Sequence, residues 1–273
     1  MKIITLSNEK GGVGKTTLAM HIAMGMALRG ARVMFVDSDA QGNATERCGV
    51  PMGPGFYDLI VRDSNWSSVA KVVKPEKYGL PGERLPERGA LWVVPSNGET
   101  INVANSVSNA MVMAERLQDL EGEVDLVVID TSPTPSLLHA SIYMATDYII
   151  YPTTATMDSL RGLGLSNIHR AGASKARQDR YGLPGIKVMG IVPTLYRKNT
   201  VEQELNLDAL RKHQQFGHLV WNPMPLRTIW TETESQRAAV WSLDPNHPAA
   251  MDAWELIDRV QENLANDIAT QAG

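Results

Sequence analysis

The stretch SNEKGGVGKTTLAM, residues 7–20, constrains this chain more than any other. It follows an apolar run, KIITLS (2–7), and opens a helix-like segment near residue 15. Strand, glycine-rich turn and helix, in that order, form the setting in which backbone N–H groups cradle phosphate oxygens. Gly11, Gly12 and Gly14 let the backbone come close to an anion, with Val13 between them. The helix N-terminus adds a favourable dipole. Lys15 is placed to reach the β- and γ-phosphates of a nucleotide. The Thr16 hydroxyl is placed to ligate Mg²⁺, and Thr17 follows in the first turn. The competing explanation is a glycine-rich turn with a chance Gly-Lys-Thr, and the full string in this context speaks against it. Such a loop needs one lysine, so Lys10 at its head is surplus.

The rest of the chain supplies a setting for that loop. KIITLS (2–7), RVMFVD (32–37), LWVVP (91–95), VDLVVID (124–130), DYIIYP (147–152), IKVMGIVP (186–193) and HLVWNP (218–223) read as strands. Several are apolar on successive residues, as in parallel strands covered on both faces. Helical segments are expected near 15–29, 100–119, 158–177, 200–213, 231–241 and 247–268. This alternation predicts an α/β fold: a doubly wound, mostly parallel sheet with helices on both faces. Ligands then belong at the carboxyl ends of the strands. The Pro- and Gly-containing stretch 74–90 reads as a surface loop. No repeat interrupts the pattern, so one domain over 1–273 is expected.

Composition excludes several function classes. One cysteine, Cys48, allows no internal disulfide and no cysteine cluster for zinc or iron–sulfur. It suits a reducing cytoplasm. Six histidines show no metal-ligand spacing. No apolar run approaches the roughly 20 residues of a membrane span, and MKIITLS is too short and polar for a signal peptide. The C-terminal helix has a mainly acidic polar face, unlike one that docks on anionic lipid. It reads as packed on the domain, followed by a frayed tail. Trp221, Trp230, Trp241 and Trp254, and Met20, Met24 and Met26, read as packing residues.

The string Lys-Gly-Gly-Val-Gly-Lys-Thr-Thr resembles the deviant Walker A loop of the ParA/MinD family of P-loop ATPases, and the resemblance extends along nearly the whole chain. It is nearest to small ParA-type partition and positioning ATPases. The resemblance implies ATP and Mg²⁺ as cofactors. It also implies a homodimer with two ATPs between the subunits, in which Lys10 reaches the partner's phosphates and Lys15 its own. VDSDAQGNAT (36–45) is similar to the family's Asp-x-Asp-Pro-Gln-Gly-Asn, with Ala40 in place of proline. By that likeness Asp39 positions the attacking water and Asp37 supports the magnesium shell. LVVIDTSPTPS (126–136) has the Walker B pattern, an apolar strand ending in an aspartate. A buried carboxylate there is costly unless paired, and Mg²⁺ held by Asp130 offsets that cost. In YPTTATMDSLRGL (151–163), similar to a segment at the family's dimer interface, Ser159–Gly162 reads Ser-Leu-Arg-Gly where the family commonly has Ala-Leu-Glu-Gly. GIVPTLY (190–196) and NPMPLR (222–227) resemble segments around the adenine, which assigns Pro225 and Arg227 to the nucleotide.

The formal net charge is −4, so a nucleic-acid surface has to be local. From Arg161 to Trp230 eleven Lys and Arg stand against four Asp and Glu. Relatives carry DNA-contacting arginine near Arg197 and Lys198, and Arg227 lies near a second such region. The resemblance therefore implies non-specific double-stranded DNA as a partner. It also implies a ParB-like or other adaptor that stimulates hydrolysis, and a cytoplasmic, nucleoid-associated location without membrane. Two alternatives stay open on the same fold. One is a MinD-like ATPase cycling on a membrane, which needs a basic amphipathic C-terminal helix. The other is a metabolic ATP-dependent enzyme, which needs a substrate pocket not legible in the sequence.

Overall fold

A computed structural model describes residues 1–272; Gly273, the last residue of the expected tail, lies outside the described residues. Seven strands form one sheet: β1 (Lys2–Leu6), β2 (Arg32–Asp37), β3 (Lys71–Val72), β4 (Ala90–Val94), β5 (Leu126–Asp130), β6 (Tyr148–Thr154) and β7 (Lys187–Thr194). Their order is β3-β4-β2-β5-β1-β6-β7. Every pairing is parallel except that of β3 with β4. The four central strands are almost wholly buried, which explains their continuous apolar runs.

One face of the sheet is covered by α1 (Lys15–Leu28) and, outside it, by the C-terminal helix Pro248–Ala272. α1 is apolar all round and buried all round, from Leu18 to Ala27. Met20 and Met24 are fully buried in it and Met26 nearly so, as expected of gap-fillers. Gly25 makes the close approach possible, because a Cβ there would collide with Ile257 of the C-terminal helix. That helix buries Ala249, Ala250, Ala253, Leu256, Ile257 and Val260. The opposite face of the sheet is covered by a cluster that includes Phe56, Leu59, Met113, Leu117, Leu138 and Ile142. Among the described residues no helix is long and apolar enough to cross a membrane.

Three expectations fail locally. HLVWNP is not a strand. Gly217–Leu219 is a turn of 3₁₀ helix, and Val220 makes only an isolated bridge to Ile191. Pro223 has no N–H to continue a ladder. The 100–119 segment is not one helix but breaks into Gly98–Asn102, Val103–Ser106 and Val112–Gln118. There Asn109 accepts from the Met111 N–H and donates to Glu115, a local bond that competes with the helix. The 231–241 segment splits at Arg237, which adopts a left-handed φ of 53° between Ile229–Gln236 and Val240–Leu243. Helix Leu137–Ala145 and the two-residue strand β3 were not anticipated.

Candidate nucleotide site

The glycine-rich loop crosses the carboxyl ends of the central strands. Gly12 (φ 74°) and Gly14 (φ 82°) are left-handed, a conformation that side chains resist. Several bonds hold the loop from outside. Asn8 donates to the Pro152 carbonyl (2.8 Å) and accepts from the Lys10 N–H (2.9 Å). The Thr194 hydroxyl donates to the Val13 carbonyl (2.8 Å). Lys15 is only 6% exposed. Its Nζ donates to the carbonyls of Asn8 (3.0 Å) and Lys10 (3.3 Å). Burial lowers the Lys15 pKa, and the nearby Asp130 and Asp39 counteract this.

The three aspartates converge beside the loop. β2 and β5 pair so that Asp37 stands opposite Asp130. Asp37 is fully buried and already occupied. It accepts from the Thr45 N–H (2.7 Å), the Thr45 hydroxyl (2.6 Å) and the Asp39 N–H (3.2 Å). Burial pushes its carboxyl up to about 6 against the pull of those bonds. Asp130 is different. Both of its carboxylate oxygens are buried without a hydrogen-bond partner. The Thr16 hydroxyl stands near them and lowers the pKa without satisfying them. Burial first, then the Asp37 charge, raises this carboxyl to about 7. Asp39 is half-buried in the cavity wall and accepts from the Gln41 N–H (3.0 Å). An unsatisfied buried carboxylate beside a threonine hydroxyl and a glycine cradle fits a divalent cation bound with a phosphate chain.

A cavity of about 480 Å³ opens above the loop. Its walls include Gly11, Gly12, Gly14, Lys15, Thr16, Thr17 and Asp39 on one side, and Thr194, Leu195 and Met224–Arg227 on another. Pro225 and Arg227, which the resemblance assigns to the nucleotide, line this cavity. Arg227 donates to Asp252 (2.9 Å), so its charge is engaged within the fold. The wall continues into Trp230, read from the sequence as a packing residue, and into Thr231 and Glu234, which the sequence did not single out. His21 ties that wall to α1. Its Nε2 accepts from the Val240 N–H (3.1 Å), which leaves Nδ1 to donate to the Thr17 carbonyl (2.7 Å). Burial holds His21 neutral, with its pKa lowered to about 4. Trp230 and Trp241 pack edge-on against the ring at 5.3 and 5.5 Å.

Lys10 lies outside this cavity. Its side chain is half exposed, and its ion-pair partner is the exposed Asp158, 3.9 Å away. Arg197 and Lys198 are exposed in the loop after β7, without ion-pair partners among the described residues. The basic window around them is less uniform than its composition suggests. Arg177 is buried and caps the carbonyls of Tyr143, Met144 and Thr146. Lys187, Lys212 and Arg227 are paired with Asp267, Asp208 and Asp252. Arg170 is half-buried and donates to the Ile186 carbonyl (2.9 Å), so the cations that are exposed and without an ion-pair partner among the described residues are Arg161, Lys175, Arg180, Arg197, Lys198 and Arg211. A second cavity, of about 580 Å³, lies between helices Leu137–Ala145 and Met157–Tyr181, floored by Tyr143, Met144 and Ala173. No metal-binding cluster of His, Cys, Asp or Glu occurs among the described residues.

A family model described as an AAA domain matches residues 1–174. The chromosome-partitioning ATPase Soj of Thermus thermophilus is 32% identical over 269 residues, covering 95% of this chain and 96% of that protein. The chain belongs to the ParA/MinD family. Solved structures carry the same fold as this ParA-type chain. An ATP complex of a McdA variant from Cyanothece matches with a TM-score of 0.77 at 19% identity, over 97% of this chain and 96% of that one. MinD from Pyrococcus horikoshii, with Mg-ADP, matches at 0.72 and 16% identity over 95% of each chain. Of the site residues read from sequence, Gly11, Gly12, Gly14, Lys15, Thr16, Thr17, Asp39, Pro225 and Arg227 line one cavity; Lys10, Arg197 and Lys198 are exposed outside it, and Val13, Asp37 and Asp130 are buried beside it. Arg47 and Glu234 went unrecognised because their relation spans nearly 190 residues and follows no local motif.

Proposed function

We infer that the chain is a ParA-like positioning ATPase that binds Mg²⁺·ATP and pairs with a second copy of itself across two nucleotides. The observation that carries this reading is the division between its two loop lysines. Lys15 is buried inside its own cavity, whereas Lys10 is exposed outside it. A lysine so placed serves a phosphate chain on another molecule. A cation supplied across an interface stabilises charge on the transferring phosphoryl group, and it makes pairing depend on ATP. Asp39 orients the attacking water, Asp130 and Thr16 hold Mg²⁺, and Asp37 steadies the Asp39 loop through the Asp39 N–H. Hydrolysis is slow until an adaptor protein stimulates it, and the dimer then separates.

The dimer binds double-stranded DNA through phosphates, without sequence preference, and so associates with the nucleoid. Arg197 and Lys198, exposed and without ion-pair partners among the described residues, support this, and two-fold pairing doubles the charge. Against the membrane-cycling alternative, Ala249, Ala253, Leu256, Ile257 and Val260 of the C-terminal helix are already buried in the core cluster that includes α1. Binding to random-sequence duplex with ATP, ADP and no nucleotide tests the reading. The expected result is binding with ATP alone, falling steeply as salt rises. Arg197→Glu with Lys198→Glu is expected to weaken it by about tenfold or more while ATP-dependent pairing survives. Unchanged affinity in that variant would move the DNA contact elsewhere on the surface.

A further inference from the structure

Two ion pairs cross at the mouth of the nucleotide cavity, at residues the reaction described above does not use. α2 (Asn43–Arg47) follows directly on the loop that carries Asp39. Its Arg47 pairs with Glu234 of helix Ile229–Gln236 (2.7 Å). Its Glu46 pairs with Arg237, the left-handed residue that ends that helix (2.7 Å). The two pairs differ in position. Glu46 and Arg237 are about half exposed. Arg47 is 21% exposed, and both Arg47 and Glu234 line the cavity.

Arg47 does more than pair. Its other terminal nitrogen donates to the Thr17 hydroxyl (2.9 Å). Thr17 sits one residue past the Mg²⁺-facing Thr16, in the turn of α1 whose backbone addresses the inner phosphates. The Thr17 carbonyl is held in turn by His21. Thus the guanidinium is fixed beside the cradle by a neutral hydroxyl on one side and balanced by a carboxylate on the other. A guanidinium with fixed donors is suited to a phosphate oxygen. Glu234, a negative charge in the same cavity wall, opposes an incoming polyanion.

We propose that Arg47 is a nucleotide-binding residue that contacts the α-phosphate, and that Glu234 is the counter-ion it exchanges for that phosphate. The inference rests on the nucleotide reading of the cavity. When the nucleotide enters, Arg47 leaves Glu234 for the phosphate. Of the two ion pairs between α2 and helix Ile229–Gln236 and its C-cap, only Glu46–Arg237 then remains. Only seven residues separate Asp39 from Arg47, so the exchange also frees the loop that must place Asp39 for hydrolysis. The α-phosphate is common to ATP and ADP, so the contact does not discriminate between them.

The test is calorimetric affinity for ADP and for a non-hydrolysable ATP analogue, each with Mg²⁺, in wild-type protein, Arg47→Gln, Arg47→Lys and Glu234→Gln. Arg47→Gln is expected to weaken both nucleotides equally, by roughly tenfold or more, as loss of a hydrogen bond to a charged group does. Arg47→Lys should recover part of that loss. Glu234→Gln should tighten both by about threefold, because a like charge leaves the cavity wall. Opposite signs for the two members of one ion pair are the signature. If the pair only braced the fold, both variants would weaken binding and lower the nucleotide-free melting temperature together, and that result would overturn the proposal. So would unchanged ADP affinity in Arg47→Gln. Wild-type protein that binds neither nucleotide would overturn the cavity assignment itself, and this inference with it.

Discussion

Lys15→Ala is expected to abolish nucleotide binding while leaving the fold intact. The Lys15 ammonium is buried beside the cavity, supported by two backbone carbonyls and, among the described residues, by no carboxylate within ion-pair distance. It is therefore a cation prepared for an anion that the fold does not supply. Removing one partner of a buried, hydrogen-bonded charge pair costs about 2–5 kcal/mol or more. That corresponds to a loss of roughly thirty-fold to several thousand-fold in affinity. The nucleotide-free protein should lose little, because burial already disfavours the charge there. Calorimetry with Mg²⁺·ATP, alongside thermal melts of both proteins, checks the two halves of the prediction. Tight ATP binding retained in Lys15→Ala would refute the phosphate-loop assignment.

Asp130→Asn should move stability and binding in opposite directions. In the nucleotide-free protein both oxygens of Asp130 lack a hydrogen bond, and Asp37 lies opposite it across the β2–β5 ladder. Burial and the like charge both oppose ionisation. An amide of the same shape removes the charge, and the nucleotide-free fold should gain about 1–3 kcal/mol. For a chain of this size that raises the melting temperature by roughly 2–10 °C. The same amide is a poor ligand for Mg²⁺, which prefers carboxylate and water oxygens. Mg²⁺-dependent tightening of ATP binding should therefore be lost. A variant that is less stable without nucleotide and still responds to Mg²⁺ would show that Asp130 is a structural carboxylate.

The parts of this site that were legible in sequence are those whose physics is local. Gly12 and Gly14 advertise left-handed backbone, and Lys15 and Thr16 follow them at a fixed spacing on one helix turn. Asp37 and Asp130 end apolar strands, and parallel register then sets them side by side. The strands themselves were visible because burial on both faces demands unbroken apolar runs. What the sequence hid depends on distant partners. Helix 231–241 looked continuous, yet Arg237 turns left-handed where Glu46, Lys77 and His21 bond the chain around it. HLVWNP had strand composition, but Pro223 and the sheet edge denied it a ladder. The basic window from Arg161 to Trp230 was a true count and a misleading one, since Arg177 is buried and three other cations are paired. Composition counts charges, but only packing shows which of them reach solvent.

The claim that organises these observations is that Lys10 serves a nucleotide on the partner molecule. It is tested most directly by measuring mass in solution, by light scattering, for wild-type protein and Lys10→Ala with Mg²⁺ and a non-hydrolysable ATP analogue or ADP. Nucleotide affinity is measured on the same samples. The wild-type chain of 29.9 kDa is expected to double in mass with the ATP analogue and to stay monomeric with ADP. Lys10→Ala is expected to bind both nucleotides with near wild-type affinity and to remain monomeric with each. A Lys10→Ala protein that pairs normally with the ATP analogue would contradict the account.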